Sequence, residues 1–201
     1  MLSLPLLLAS ASPRRHELLK QIGINHTVVH VPAPPGEDEP QEEGETAISY
    51  VTRTAAEKAV QAQHYLLTQQ IDTEYALLCA DTTVELNSAI LSKPSDLNDA
   101  SRMLRLLSDQ THHVHTAVVL IAKGHRYSAL SSSQVTMKAL SNVEIARYCE
   151  SGEPLGKAGA YGIQGQAAAF IRHLEGSYSG VMGLPLHETY DLFVQSGLIE
   201  T

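Results

Sequence analysis

Two cysteines in 201 residues, Cys79 and Cys149, stand without CxxC spacing. That excludes a disulfide framework and a cysteine-based zinc site, and it fits a reducing compartment. Basic residues are scarce as well: 14 Lys and Arg against 22 Asp and Glu leave a formal net charge of −8. Such a chain as a whole repels nucleic acid and anionic membrane. No stretch approaches the ~18–20 apolar residues of a membrane span. The apolar run at residues 2–11 lacks a basic n-region, contains Pro5 and has its positive charges after it, unlike a secretory signal. These absences predict a soluble, cytoplasmic protein with no nucleic-acid or membrane partner. With 43% hydrophobic residues, residues 1–201 suffice for a single domain, or for two small lobes sharing a core. The scarcity of Lys and Arg also gives weight to each one found in a motif, because a phosphate-bearing ligand has to be met by a local cluster.

Such a cluster stands near the start. An apolar run ends at Ser10 and Ser12, and Pro13 then opens a helix whose first turn carries Arg14 and Arg15. Ser12 is placed to cap, Pro13 suits the first helical position, and Leu18, Leu19 and Ile22 supply an apolar stripe. Arginines in a first turn oppose the helix dipole, which favours acids there by roughly 0.3–1 kcal/mol. An anion offsets the conflict, so Ser10, Ser12, Arg14, Arg15 and the free backbone N–H groups read as a phosphate site. A capped surface helix with two solvated arginines is the plainer alternative.

Hydrophobic periodicity predicts strands at residues 4–9, 27–31 and 75–80, the last ending at Asp81. Residues 83–86 and 90–91 flank Asn87-Ser88 as a tight hairpin. Long paired strands are predicted at 115–122 and 127–138, and a further strand at 168–174. Helices are predicted at 13–21, 46–67, 96–107 (capped by Asp96), 141–149 (capped by Ser141) and 185–195. Residues 32–45, rich in Pro, Gly and acid, and the glycine-rich residues 152–165 read as loops. The mixture of β-α-β units and hairpins indicates an α/β fold with a mixed sheet.

Several residues break a local rule. On the helix from Thr46, the stripe Ile48, Val51, Ala55, Ala59 and Ala62 carries Lys58 on or beside it, either snorkelling from the core edge or aimed into a cleft. Asp81 ends an apolar strand with Thr82 and Thr83 beside it, where open α/β sheets place ligands. Lys93, held extended by Pro94, follows the hairpin. Asp81 and Lys93 make a hydrolytic pair, or else a turn cap and a surface lysine. His112, His113 and His115 lack further ligands at metal spacing and read as ordinary strand-edge histidines.

The motifs Ser10-Ala-Ser12-Pro-Arg14-Arg15, Asp38-Glu39, Glu57-Lys58-Ala59, Ala80-Asp81-Thr82, Lys93-Pro94 and Lys157-Ala-Gly-Ala-Tyr-Gly-Ile-Gln164-Gly, in this order, closely resemble the Maf family of nucleoside triphosphate pyrophosphatases. The resemblance implies the Maf and inosine-triphosphatase type of fold, a long curved mixed sheet whose flanking helices form a cleft between two lobes. It also implies hydrolysis of a nucleoside triphosphate to monophosphate and pyrophosphate with a divalent cation, Mg²⁺ or Mn²⁺. In the resemblance Asp81 is the proton acceptor, and Glu39, Lys58 and Lys93 are the charged cleft residues, with the metal near Glu39 and Asp81. Glu37 is a substitute for Glu39, because a Pro-rich insertion precedes Asp38-Glu39.

Ser10, Arg14 and Arg15 match the phosphate grip; Arg14, Thr82 and Gln164 match positions that select the base in the branch taking dTTP and UTP. The family's 7-methyl-GTP branch typically has Trp directly after the motif proline; this chain has Arg14 there and no Trp at all. A methylated, cationic guanine is best held by an aromatic face. The amide of Gln164 suits the carbonyl and imide N–H of uracil and thymine. The resemblance is compatible with a homodimer. A nucleotide-binding regulator of cell division without catalysis is the alternative function.

Overall fold

The apolar run Leu6–Ala9 forms strand β1, with Leu6 and Leu8 buried, in a computed structural model that describes residues 2–32, 40–70 and 74–200. Helix α1 (Pro13–Gln21) leads to β2 (Thr27–Val29), which pairs in parallel with β1. Helix α2 (Ala47–Thr68) then returns the chain to β3 (Ala76–Leu86), parallel to β1 on its other side. The order of strands therefore reverses at β1, and open α/β sheets bind ligands beyond the carboxyl end of the strand where that happens. Asn87 and Ser88, with φ of 51° and 66°, turn β3 into the short antiparallel β4 (Ala89–Leu91), as the hairpin reading expected. Long antiparallel strands β5 (Thr111–Ala122) and β6 (His125–Met137) and the final β7 (Ile171–Glu175) complete a seven-stranded mixed sheet in the order β2-β1-β3-β5-β6-β7, with β4 beside β3.

The remaining helices are α3 (Leu97–Leu107), capped by Asp96, α4 (Asn142–Glu150), opened by a Ser141–Glu144 capping box, α5 (Tyr178–Met182) and α6 (Leu186–Gln195). Three apolar cores tie them to the sheet. Val51, Ala55, Ala59 and Ala62 of α2 cover Leu77, Cys79, Ala117 and Val119 on one face. Leu18, Leu19, Leu192 and Phe193 cover Leu6, Leu8, Leu78 and Val118 on the other. The third gathers Val84, Leu104, Leu107, Val114, Val135, Ile145 and Tyr148 around the far halves of β3, β5 and β6. No helix among the described residues is long and apolar enough to cross a membrane.

Three local expectations change. The strand carrying Asp81 does not end there: β3 runs on to Leu86, because its backbone keeps pairing with β5 and then β4. Ile48 is 45% exposed, since the first turns of α2 bury Ala47, Tyr50, Val51 and Thr54 instead. The glycine-rich loop contains a 3₁₀ turn at Ala158–Ala160 and leads into a second at Gln166–Phe170, so the next strand starts at Ile171 rather than at 168. The short α5, capped by Ser177, is an element for which the periodicity gives no expectation. Gly159 is needed for two reasons: its φ is +67°, and a Cβ would meet Val84 Cγ1 at 3.0 Å.

Candidate active site

Period-2 alternation along β3 sends Leu77, Cys79 and Asp81 toward α2 and Leu78, Ala80 and Thr82 to the opposite face. Leu78 is the last β3 residue in register with β1, so Asp81 and Thr82 lie just past the end of that strand. There a cavity of about 580 Å³ opens, lined by Ser10, Ser12, Arg14, Arg15, Lys58, Asp81, Thr82, Lys93 and Gln164 among others. Every candidate residue within the described chain thus reaches one cavity. Glu39, and Glu37 as its substitute, lie outside the described residues.

Asp81 is 6% exposed, and both carboxylate oxygens are engaged from α2. Lys58 Nζ donates to Oδ1 at 2.5 Å and Thr54 Oγ1 to Oδ2 at 2.8 Å. Thr54 and Lys58 are four residues apart and so share one helix face. Burial alone pushes the Asp81 carboxyl up, but the charges of Lys58 and Arg15 and the hydrogen bonds from Lys58 and Thr54 outweigh it and hold the carboxyl below its usual value. Asp81 is therefore an ionised, fully oriented carboxylate. Of the two readings of Lys58, the structure selects the charge aimed into a cleft.

The serine–arginine segment is built differently from the capping expectation. Ser12 makes no side-chain cap; its N–H donates instead to Ser10 Oγ at 3.1 Å, which folds the loop before α1. Arg15 spreads its planar fork over three acceptors, Nε to Gly183 O at 2.7 Å, Nη1 to Ser10 Oγ at 3.2 Å and Nη2 to Thr82 Oγ1 at 3.3 Å. Thr116 donates to Gly180 O at 2.8 Å, so the 2.9 Å bond between Thr82 and Thr116 takes its proton from Thr82. This chain of bonds fixes α1 and α5 to the middle of the sheet. Arg14 donates from Nε to Met182 O at 3.3 Å, and its terminal amino groups have no hydrogen-bond partner among the described residues. Burial holds its guanidinium below the ordinary arginine value, with Tyr148 acting in the opposite direction. Lys93, extended ahead of Pro94, likewise has no ion-pair partner among the described residues.

Arg14, Arg15, Lys58, Lys93 and Lys157 line the cavity against two described carboxylates, Asp81 and Glu57, and Glu57 is paired with Arg53 at 3.0 Å. A chain of net charge −8 has concentrated positive charge around one buried acid. The profile of a family described as Maf-like protein matches residues 5–196. The chain belongs to the Maf family. It is 57% identical over 193 residues to a dTTP/UTP pyrophosphatase of Bordetella pertussis, covering 96% of this chain and 93% of the relative. It is 50% identical over 198 residues to a dTTP/UTP pyrophosphatase of Ralstonia nicotianae, covering 96% and 94%. A protein of the same name from Chromobacterium violaceum is 46% identical over 190 residues, covering 94% and 93%.

In this Maf chain Lys157 and Tyr161 stand out in the sequence only as members of the glycine-rich motif. Thr54 left a signal, a hydroxyl on the buried stripe of α2 one turn before Lys58. The histidines differ from the strand-edge expectation: β5 lies between β3 and β6, and His112 and His115 are 1% and 3% exposed. They are tolerated because neighbouring strands and loops supply partners, Glu85 and Ser132 for His115 and the Tyr161 hydroxyl, 2.8 Å from Nε2, for His112. Nδ1 of His112 is buried without a partner among the described residues.

Tyr161→Phe leaves neither ring nitrogen of His112 bonded, and a loss of about 1–3 kcal/mol in unfolding free energy is expected in urea titrations. Burial, aided by the neighbouring His113, holds the His112 ring down at about 4, below the ~6.5 of an unfolded histidine. Between those values the unfolded chain binds more protons, so stability is lost as pH falls from about 6.5 to about 4, by about 3 kcal/mol over the window. Urea midpoints at pH 7, 6 and 5 measure that slope. A flat midpoint is the contrary result.

Proposed function

We propose that the chain hydrolyses dTTP and UTP, and modified pyrimidine nucleotides of the same shape, to the monophosphate and pyrophosphate, a clean-up of the nucleotide pool. The observation that carries the reading is the set of four cationic side chains, Arg14, Arg15, Lys58 and Lys93, that lines one cavity with the buried, ionised Asp81. The names of the relatives at 46% and 57% identity support the substrate class. Arg14, Arg15, Lys58 and Lys93 hold the triphosphate through charge-assisted hydrogen bonds, with Ser10 and Ser12 shaping the loop that meets it. Arg14 also serves, with Thr82 and Gln164, to select the base.

A water held by Asp81 forms the new bond to the α-phosphorus. The bond to the α–β bridging oxygen breaks, pyrophosphate leaves, and the water's proton passes to the carboxylate. A carboxyl held below its usual value is a weak base, and Lys58 resolves that conflict. As its ammonium turns from Oδ1 to the arriving phosphate, the charge holding Asp81 down weakens and burial makes the carboxylate more basic. Phosphoryl transfer needs mainly positioning and charge neutralisation, which this arrangement of cations supplies.

A divalent cation would meet the buried carboxylate of Asp81 in the cavity once Lys58 turns from Oδ1 toward the phosphate. Among the described residues no three His, Cys, Asp or Glu side chains converge on a metal position. Mg²⁺, however, is commonly held by one or two carboxylates together with substrate phosphate oxygens. Asp81 would be the described ligand and Glu39 the second. When bound, Mg²⁺ or Mn²⁺ neutralises phosphate charge and acidifies water.

A panel of dTTP, UTP, CTP, 5-methyl-UTP, pseudo-UTP, purine triphosphates and 7-methyl-GTP, assayed for pyrophosphate release with Mg²⁺ and Mn²⁺ separately, tests the proposal. Highest kcat/KM for dTTP and UTP is expected. Preference for 7-methyl-GTP would overturn the substrate class, and nucleotide binding without pyrophosphate release would favour a non-catalytic binder.

A further inference from the structure

Lys157 opens the glycine-rich turn in extended backbone, φ −122° and ψ 131°, and its side chain lines the cavity, on the loop that also carries Gln164. Its ammonium donates to the Glu153 carbonyl, which holds the stem in place. Gly162 shows where that stem lies. Gly162 is not among the residues with positive φ, so its lack of a side chain serves space rather than backbone conformation. A Cβ there would sit 3.1 Å from Lys157 Cε, 3.2 Å from Lys157 Cδ and 3.3 Å from Gln164 Nε2. The lysine stem and the glutamine amide therefore lie side by side over a bare glycine.

The corner they form is rich in donors. Gln164 has no hydrogen-bond partner among the described residues, and Arg14, whose terminal amino groups also have none, faces the same cavity. Burial and the charge of Arg14 hold Lys157 below its ordinary value, with Glu153 opposing, which places the two cations within mutual influence. A ring edge seated here has to present acceptors. Uracil and thymine carry two carbonyls flanking one imide N–H, whereas cytosine carries an amino group in place of the C4 carbonyl. One amide satisfies the imide N–H and one carbonyl; the other carbonyl requires a further donor.

Resting on the proposed pyrophosphatase reading, we propose that Lys157 is a specificity-determining residue whose ammonium donates to the C4 carbonyl of uracil or thymine beside Gln164 and rejects the amino group of cytosine. A site built to hydrogen-bond one group discriminates strongly against an analogue that lacks it, because its own polar groups are then left unpaired.

The test compares wild type with Lys157→Met, which keeps the stem, and Lys157→Arg, which keeps the charge and donors. Both variants are first checked by circular dichroism and urea unfolding. For Lys157→Met, kcat/KM for pyrophosphate release from UTP is expected to fall at least about tenfold while that for CTP is unchanged or rises; Lys157→Arg retains much of the preference. Equal losses for UTP and CTP would overturn the proposal, placing Lys157 at the phosphates or in loop support, and so would an unchanged ratio. Calorimetric binding of UMP and CMP gives a readout that needs no turnover. A UMP preference that Lys157→Met abolishes supports the subsite even if the wild type releases no pyrophosphate, in which case only the hydrolytic reading fails. A UMP-to-CMP ratio that Lys157→Met does not move overturns the subsite itself.

Discussion

Asp81→Asn is expected to lower kcat/KM for pyrophosphate release from UTP by at least about a hundredfold, with the fold retained. The amide is nearly isosteric and still offers an oxygen to Thr54, so α2 keeps its seat. What it cannot do is take a proton from water, and its NH₂ group turned toward Lys58 would set donor against donor at the 2.5 Å contact. The pH profile supplies a second, sharper readout. Because the Asp81 carboxyl is held below its usual value near 3.9, the acid limb of wild-type kcat/KM lies below about pH 4. Lys58→Met removes the principal favourable charge, burial then dominates, and the limb moves upward through pH 4. The same sign applies to stability: the contribution of ionised Asp81 is fully present above the unfolded value near 3.9 and is lost as pH falls through the lower folded value. Near-normal turnover by Asp81→Asn would remove this carboxylate from the chemistry.

Arg15→Lys is expected to cost about 10²–10³ in kcat/KM and, in urea titrations, about 1–3 kcal/mol of stability together, although the substitution conserves charge. Three acceptors on three separate segments, Gly183 O, Ser10 Oγ and Thr82 Oγ1, are met by one planar fork. A lysine ammonium is a compact point on a flexible stem and cannot span them. With the fork gone, the Gly183 carbonyl, on a residue that is itself buried, loses its 2.7 Å donor, and α5 keeps its tie through Thr116 but loses the one through Arg15 to Thr82. Activity and stability therefore fall in the same variant, which separates Arg15 from a residue that only touches substrate. Wild-type stability in Arg15→Lys would show that the clamp is not structural.

Much of the fold follows from local rules that act within a few residues. Caps at Asp96 and Ser141 and the Asn87-Ser88 turn each select their element by short-range chemistry, and each forms where that chemistry places it. The ordered motifs likewise brought the candidate residues and the Maf family into view, since Ser10, Arg14, Lys58, Asp81, Lys93 and Gln164 carry their resemblance in the chain itself. Other features depend on contacts between distant segments. Asp81 looked like the end of a strand because a charge interrupts an apolar run; it lies inside one because β5, more than 30 residues on, continues the backbone pairing. Its partner Thr54 stands 27 residues away, and the acceptors of Arg15 at Gly183 lie 168 residues away.

What the sequence by itself determined is therefore the elements, the family and the identity of the charged groups, all consequences of local spacing and side-chain chemistry. Only the tertiary structure decided which hydroxyl orients Asp81, that Arg15 clamps three segments, and that Lys157 lies beside Gln164 over Gly162. Those outcomes rest on strand register and the close approach of separate loops, and neither is written in any one stretch of chain.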